Sequence, residues 1–73
     1  MTLLDMRSGE RARVVAIASE VRSRLDRLST LGITPGAWLT LRQRQPAVVV
    51  DLGELELALD HSIAALIRVE RGA

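Results

Sequence analysis

Few side chains in this sequence are of the types that carry out catalysis. The 73 residues contain no cysteine and one histidine, His61, which argues against a cysteine nucleophile and against histidine-based acid-base chemistry. No serine lies in a nucleophile-elbow motif, and Gly32 and Gly36 lack the following Lys and Ser or Thr of a phosphate-binding loop. We therefore predict a protein that is not an enzyme, that uses no cofactor and that does not bind GTP itself.

Three carboxylates form the best candidate for a metal site. Asp51, Glu54 and Glu56 surround a predicted hairpin turn, whereas direct iron binding needs several His, Cys or carboxylate ligands that converge. We favour the alternative interpretation, a solvated acidic turn whose charges balance neighbouring arginines. His61 follows Asp60 at the start of a predicted helical turn and is interpreted as a surface residue. No metal site is predicted.

The single tryptophan is the whole aromatic content of the chain. If Leu39 and Leu41 face the core, the alternation of a strand places a different set of side chains on its outer face. That set is Trp38, Thr40, Arg42 and Arg44. Because tryptophan and arginine often dominate binding energy at protein interfaces, we predict a partner-binding face here. In the alternative interpretation, the tryptophan covers the Pro35-Gly36 turn or the helix.

The composition indicates a folded domain. Hydrophobic residues make up 48% of the chain, which is ordinary for a globular domain and too high for a disordered one. No apolar run approaches the ~20 residues that span a bilayer, and the first residues lack the basic start and apolar middle of a signal peptide. We expect a cytoplasmic protein without membrane insertion.

The distribution of charge argues against nucleic acid as the partner. Ten basic residues, all arginine, are interspersed with nine acidic ones for a net charge of +1, and aromatic residues for base stacking are scarce. A nucleic-acid-associated barrel stays open as an alternative, since five arginines can share one side of the fold: Arg7, Arg11, Arg13, Arg42 and Arg44. A groove for proline-rich peptides would need more aromatic residues than one.

Hydrophobic periodicity predicts five short strands, at residues 11–17, 38–42, 48–52, 54–59 and 67–69. A helix is predicted over residues 20–31, because Val21, Leu25, Leu28 and Leu31 fall on one helical face. Ser19 is its predicted N-cap, with Glu20 and Arg24 as an i,i+4 ion pair. Asp60 is predicted to cap a short helical turn over residues 62–66. Five mostly antiparallel strands with this many Val and Leu fit a small closed barrel.

Three residues predict a specified turn after the helix. Gly32 directly follows the last periodic residue and suits the left-handed C′ position of a helix. Pro35 and Gly36 are the residue types of the two central positions of a type II turn. We interpret Gly32, Pro35 and Gly36 as structural and not as a binding loop.

The ordered set of motifs resembles one family along nearly the whole chain. Its most specific piece is Arg27-Leu28 followed by Leu31-Gly32-Ile33 and Pro35-Gly36, joined at the right distance to Ala64, Ile67 and Val69. The set also includes Leu3, Met6, Gly9-Glu10, Val14, Ile17, Thr34 and Leu57-Ala58-Leu59. This pattern is similar to that of the FeoA family.

The resemblance implies an SH3-like barrel that works beside FeoB, a membrane ferrous-iron transporter with a cytoplasmic GTPase domain, by binding its cytoplasmic portion. The chain departs from the family pattern where only residues 44–47 connect strands two and three. The same barrel also occurs at the C-terminus of DtxR-like metal-dependent repressors, which is the alternative interpretation. We expect one domain over residues 1–73 that starts at Met1 and stands alone, and the sequence is compatible with a homo-oligomer.

Overall fold

Alternating apolar residues fold into five strands in the part of the chain that the structure, a computed structural model, describes, residues 1–72. The elements in chain order are β1 (Arg11–Ile17), α1 (Arg22–Thr30), β2 (Trp38–Gln43), β3 (Val48–Asp51), β4 (Glu56–Leu59), α2 (His61–Ala64) and β5 (Ile67–Arg71). A 3₁₀ turn over Leu3–Asp5 precedes them. The predicted fold class is confirmed: mainly β, with one helix after the first strand and a short one before the last.

The strands form one sheet in the order β4-β3-β2-β1-β5, and every neighbouring pair is antiparallel. Within residues 1–72, no ladder joins β4 to β5, so the hydrogen-bonded closure expected from the sequence is not formed between these two strands. The start of the chain covers the outer edge of β5 instead: the Val69 N–H donates to the Met1 carbonyl at 2.9 Å, and Thr2 bridges to Arg68. The edge of β5, which would otherwise be free to pair with other chains, is therefore partly occupied.

One aliphatic core fills the inside of the curled sheet. Strand alternation is strict in β2, where Leu39 and Leu41 are buried, as the sequence analysis expected. The 3₁₀ turn contributes Leu3 and, directly after it, Met6, both fully buried. The other core residues come from all the elements and their connections: Ala12, Val14, Leu28, Ile33, Val48, Val50, Leu59, Ala64, Ile67 and Val69.

The predicted start of the helix is wrong by two residues. Val21 is extended, with φ −81° and ψ 106°, and α1 begins at Arg22. Ser19 does not cap the helix, because its hydroxyl accepts the Val21 N–H at 3.2 Å, a local turn that competes with helix. Glu20 consequently lies outside α1, and its predicted ion pair with Arg24 is not among those formed within residues 1–72.

The end of α1 follows the prediction closely. Gly32 has φ +94°, its N–H donates to the Ser29 carbonyl at 3.0 Å, and the Ile33 N–H donates to the Leu28 carbonyl at 2.9 Å. This is the Schellman pattern, with Leu28 and Ile33 buried as its apolar contact. The type II turn is also present, since Gly36 has φ +97° and the Ala37 N–H donates to the Thr34 carbonyl at 3.0 Å.

Gly32→Val is expected to lower the free energy of unfolding by more than about 1 kcal/mol, because a β-branched side chain is disfavoured at positive φ. The Cβ itself would not clash, since it would lie 3.7 Å from Leu52, an ordinary contact. Gly32→Asn, which tolerates the left-handed region better, is the matched control. Urea denaturation measures both variants, and an unchanged midpoint for the valine variant would contradict the assigned role of Gly32.

Other predicted boundaries shift for identifiable reasons. β4 begins at Glu56 and not at residue 54, because the turn extends to Leu55, whose carbonyl accepts the Leu52 N–H at 2.8 Å. β5 continues to Arg71, which pairs with Ala12 of β1. The predicted helical turn over residues 62–66 is α2, His61–Ala64, and the Asp60 side chain makes no capping bond. β3 ends at Asp51, and β2 runs to Gln43.

Candidate protein-binding site

The outer face of β1 and β2 carries three of the four residues that the sequence analysis selected. Since Leu39 and Leu41 point into the core, Trp38, Thr40 and Arg42 lie on the opposite side of β2. The register of the ladder sets Arg11 opposite Thr40 and Arg13 opposite Trp38. We call these five side chains the outer face: Arg11, Arg13, Trp38, Thr40 and Arg42.

Trp38 is held in place and yet 41% exposed. The Arg11 guanidinium lies over the indole at 4.3 Å from the ring centroid, a cation-π contact. Gly72 approaches from the end of β5, where a Cβ would come within 2.8 Å of the indole Cζ3 atom. Trp38 also borders a depression that Leu31 and Ala37 line, near the end of α1. The indole is therefore packed against Arg11 and Gly72 and is otherwise partly exposed to solvent.

Arg42 forms an ion pair across the strands with Asp51. Its Nη2 and Nε atoms donate to one carboxylate oxygen at 2.6 and 3.1 Å. The other Asp51 oxygen accepts the Gly53 N–H at 2.7 Å. The hydrogen bond from Arg42, followed by that from Gly53, lowers the pKa of Asp51, and the same pair raises the pKa of Arg42. Asp51 therefore stays ionised and serves to orient Arg42 on the outer face.

Arg44 is separated from the other three selected residues. The ladder between β2 and β3 shifts register between Leu41 and Gln43, and a bulge of this kind re-aims the side chains that follow it. The Arg44 Nη2 atom donates to the Leu4 carbonyl at 2.8 Å, next to the 3₁₀ turn. The Arg44 carbonyl lies 3.1 Å from the His61 Nε2 atom. Arg44 and His61 therefore tie together segments that are distant in sequence.

The candidate metal carboxylates do not converge. Asp51 is engaged by Arg42 and Gly53. Across residues 1–72, no three His, Cys, Asp or Glu side chains are grouped so as to hold a metal ion.

Opposite charges pair on and around the outer face. Arg13 contacts Glu70 at 3.2 Å, and Arg71 contacts Glu10 at 2.6 Å. Each exposed pair contributes little to stability, but two of the three arginines of the outer face, Arg13 and Arg42, are paired with a carboxylate. Of the five arginines of the nucleic-acid alternative, Arg11 is the one that stacks on an aromatic ring. The outer face is thus a mixed surface and not a cationic one.

Acid is expected to destabilise the protein through Asp51 and Glu10. The pKa of Glu10 is lowered first by the Arg7 N–H and then by the Arg71 side chain. A carboxyl whose folded pKa is lowered contributes stability at pH values above its unfolded pKa, near 4. That contribution is lost as the pH falls through the lowered folded values.

Urea midpoints measured from neutral pH down to pH about 3 check this expectation. Asp51→Asn should flatten the lower part of the profile, because it removes one of the two carboxyl groups whose pKa is lowered in the folded protein. Identical profiles for the wild type and Asp51→Asn would contradict the role given to this pair.

We expect neither ferrous iron nor a guanine nucleotide to bind with micromolar affinity. The physical reason is that Asp51 is already paired with Arg42, and that the sequence lacks a phosphate-binding loop. Anaerobic titration calorimetry in metal-free buffer measures both ligands. A micromolar dissociation constant for either one would contradict this expectation.

Comparison with known proteins identifies relatives of the whole chain. A family model described as the FeoA domain matches residues 1–71. The solution structure of the FeoA protein from Chlorobium tepidum is 30% identical, with a TM-score of 0.88 over 100% of this chain and 71% of that one. A crystal structure of an iron uptake regulatory protein (FeoA) is 22% identical, with a TM-score of 0.87 over 97% of this chain and 95% of that one.

A further solved structure shares the fold. The crystal structure of IdeR from T. acidophilum is 21% identical and has a TM-score of 0.90, covering 99% of this chain and 34% of that one. At that identity the likeness concerns the fold alone. A search of the curated proteins gave no match. The helices within residues 1–72 are all too short or too polar to cross a membrane.

Proposed function

Because the chain belongs to the FeoA domain family, we propose that it is a non-catalytic, cytoplasmic accessory protein of ferrous-iron uptake that binds the cytoplasmic part of a FeoB-type transporter. Family membership itself supports a role in ferrous-iron transport. Beyond that role, we propose the transporter as the partner, the cytoplasm as the compartment, the absence of catalysis and a single functional domain over residues 1–73. In this account the protein acts through contact and not through chemistry of its own.

The observation that carries the proposal is the indole of Trp38 on the outer face. A tryptophan that is 41% exposed and already fixed by Arg11 loses little conformational entropy on binding. Rigid aromatic anchors beside arginines are the groups that most often supply the energy of a protein interface. We assign Trp38, Thr40 and Arg42 to the interface, with Arg11 as the residue that supports the ring.

Arg44 was predicted at the same interface, and we keep it in the proposed interface although it lies apart from Trp38, Thr40 and Arg42. Its guanidinium is bound to the Leu4 carbonyl, beyond the bulge that ends the regular part of β2. We propose that it contributes at the margin, where a polar rim commonly surrounds the anchoring residues.

The alternative functions draw less support from the molecule. A manganese-dependent transcriptional repressor shares the fold, but the family match over residues 1–71 is to the FeoA domain. A nucleic-acid-binding barrel needs free cations along the path of the phosphates. On the outer face, Arg13 and Arg42 are already paired with Glu70 and Asp51.

Titration calorimetry with the purified cytoplasmic region of the cognate FeoB-type transporter tests the proposal. We expect saturable binding with one site per transporter chain. Duplex DNA is the control ligand and should give no saturable heat at physiological salt. Saturable DNA binding without binding to the transporter region would replace the proposal by the nucleic-acid alternative.

A further inference from the structure

A groove lies between α1 and the segment that runs from β4 into α2. It encloses about 460 Å³. Its floor is apolar: Leu28 and Leu59 are buried beneath it, Leu31 and Ile63 are half-buried, and Val21, which is 49% exposed, directly precedes α1. An apolar depression of this size on a small protein can accept an aliphatic side chain from a second molecule.

The charges at the rim of this groove restrict what can enter it. Arg24 and Arg27 are three residues apart on α1 and therefore share one face of the helix. Neither is in an ion pair within residues 1–72. Asp60 is the single carboxylate that lines the groove. The groove is thus apolar at its floor and positive on its helical side, so it favours an aliphatic side chain flanked by carboxylates.

The chain itself carries such a segment at the turn between β3 and β4. Leu55 is 45% exposed and lies between Glu54 and Glu56. Neither glutamate is in an ion pair within the described residues. The turn is closed by the hydrogen bond from the Leu52 N–H to the Leu55 carbonyl. The exposed leucine is therefore presented on a fixed turn and needs little ordering to bind.

We propose that the protein self-associates by inserting the Glu54-Leu55-Glu56 turn of one copy into the α1 groove of a second copy. Leu55 then covers the apolar floor, and the two glutamates lie against Arg24 and Arg27. Leu31 borders both the groove and the depression beside Leu55, so each copy presents its turn and its groove on neighbouring sides of the end of α1. The smallest product is a dimer, and its stability decreases with salt.

Sedimentation equilibrium of the full chain, from micromolar to millimolar concentration and at low salt, tests this inference. The wild type should show a rising average mass. Glu54→Arg/Glu56→Arg and Arg24→Glu/Arg27→Glu should each self-associate at least tenfold more weakly, because either change sets like charges against each other. An equimolar mixture of the two variants should recover association, since each supplies the charges that the other has lost.

Three controls make the result decisive. Arg7→Glu/Arg68→Glu changes the net charge as much as the groove variant does but at exposed positions outside the groove, and it should associate like the wild type. Leu55→Ser should weaken association without a change in charge. Far-UV circular dichroism shows that each variant folds, and recovery in the mixture shows it independently.

Several outcomes would overturn the inference. The inference is wrong if the wild type stays monomeric over the whole concentration range. It is also wrong if the turn and groove variants self-associate as strongly as the wild type. Binding of a synthetic acidic peptide in the groove by a chain that remains monomeric would assign the groove to a different protein.

Discussion

Leu41→Ala is expected to lower the free energy of unfolding by about 2–5 kcal/mol, the usual cost of truncating a fully buried leucine. Leu41 has no exposed surface and lies in β2, which pairs with β1 on one side and β3 on the other. A domain of this size is stable by only a few kcal/mol and has no disulfide to compensate. The variant should therefore be largely unfolded at physiological temperature.

Thr40→Ala is the matched control for this prediction. Thr40 precedes Leu41 in the same strand but lies on the outer face and is half-buried. Its truncation should cost less than about 1 kcal/mol, the span of strand propensities. Urea denaturation monitored by the fluorescence of Trp38 measures both variants. Equal losses at the two positions would mean that the alternation assigned to β2 is wrong.

Trp38→Ala is expected to weaken binding of the transporter's cytoplasmic region by at least about 30-fold, which corresponds to the ~2 kcal/mol that defines an energetically dominant interface residue. The indole offers the largest side-chain contact area on the outer face, and Arg11 already holds it in place. Arg42→Glu should weaken binding too, because it reverses the charge beside Asp51. Both variants are measured by the calorimetric titration with the transporter region.

Arg22→Glu, at an exposed position on α1 away from the outer face, is the control and should retain wild-type affinity. All three variants should stay folded, and Arg42→Glu should melt at a lower temperature because it breaks the pair with Asp51. If Trp38→Ala binds normally, the docking face lies elsewhere. If it unfolds, the ring belongs to the core, and Arg42→Glu then becomes the variant that tests the interface.

Much of the fold was predictable because this sequence contains strong local signals for turns, helix ends and strand alternation. Gly32, Pro35 and Gly36 specify a helix end and a type II turn by backbone conformations that few other residues accept, and both are present. The alternation of Leu39 and Leu41 with their neighbours likewise fixes which side of β2 faces the core. Such signals depend on adjacent residues only, so they can be interpreted without knowledge of the tertiary structure.

The missed features depend on contacts between distant segments or on local competition. The register of β1 against β2 determines the position of Arg11 over Trp38. The bulge in β2 separates Arg44 from the outer face. Neither the register nor the bulge can be inferred from neighbouring residues in the sequence. The late start of α1 arises because the Ser19 hydroxyl binds the Val21 N–H and not one inside the helix, two options that the sequence alone does not rank.

The site could be predicted only in part for the same reason. Strand alternation correctly grouped Trp38, Thr40 and Arg42 on one face. It did not reveal that Arg42 is oriented by Asp51 or that Gly72 leaves room for the indole. Asp51 entered the sequence analysis as a candidate metal ligand, and a carboxylate that fixes an arginine cannot be distinguished from a ligand by spacing.

Nuclear magnetic resonance titration of the isotope-labelled protein with the unlabelled transporter region tests the docking face most directly. The chain has one tryptophan, so its indole N–H gives one resolved signal. The account predicts that this signal shifts or broadens on binding, together with the amides of Arg11, Thr40 and Arg42. An indole signal that stays unchanged at saturation, while amides of another surface shift, would contradict it.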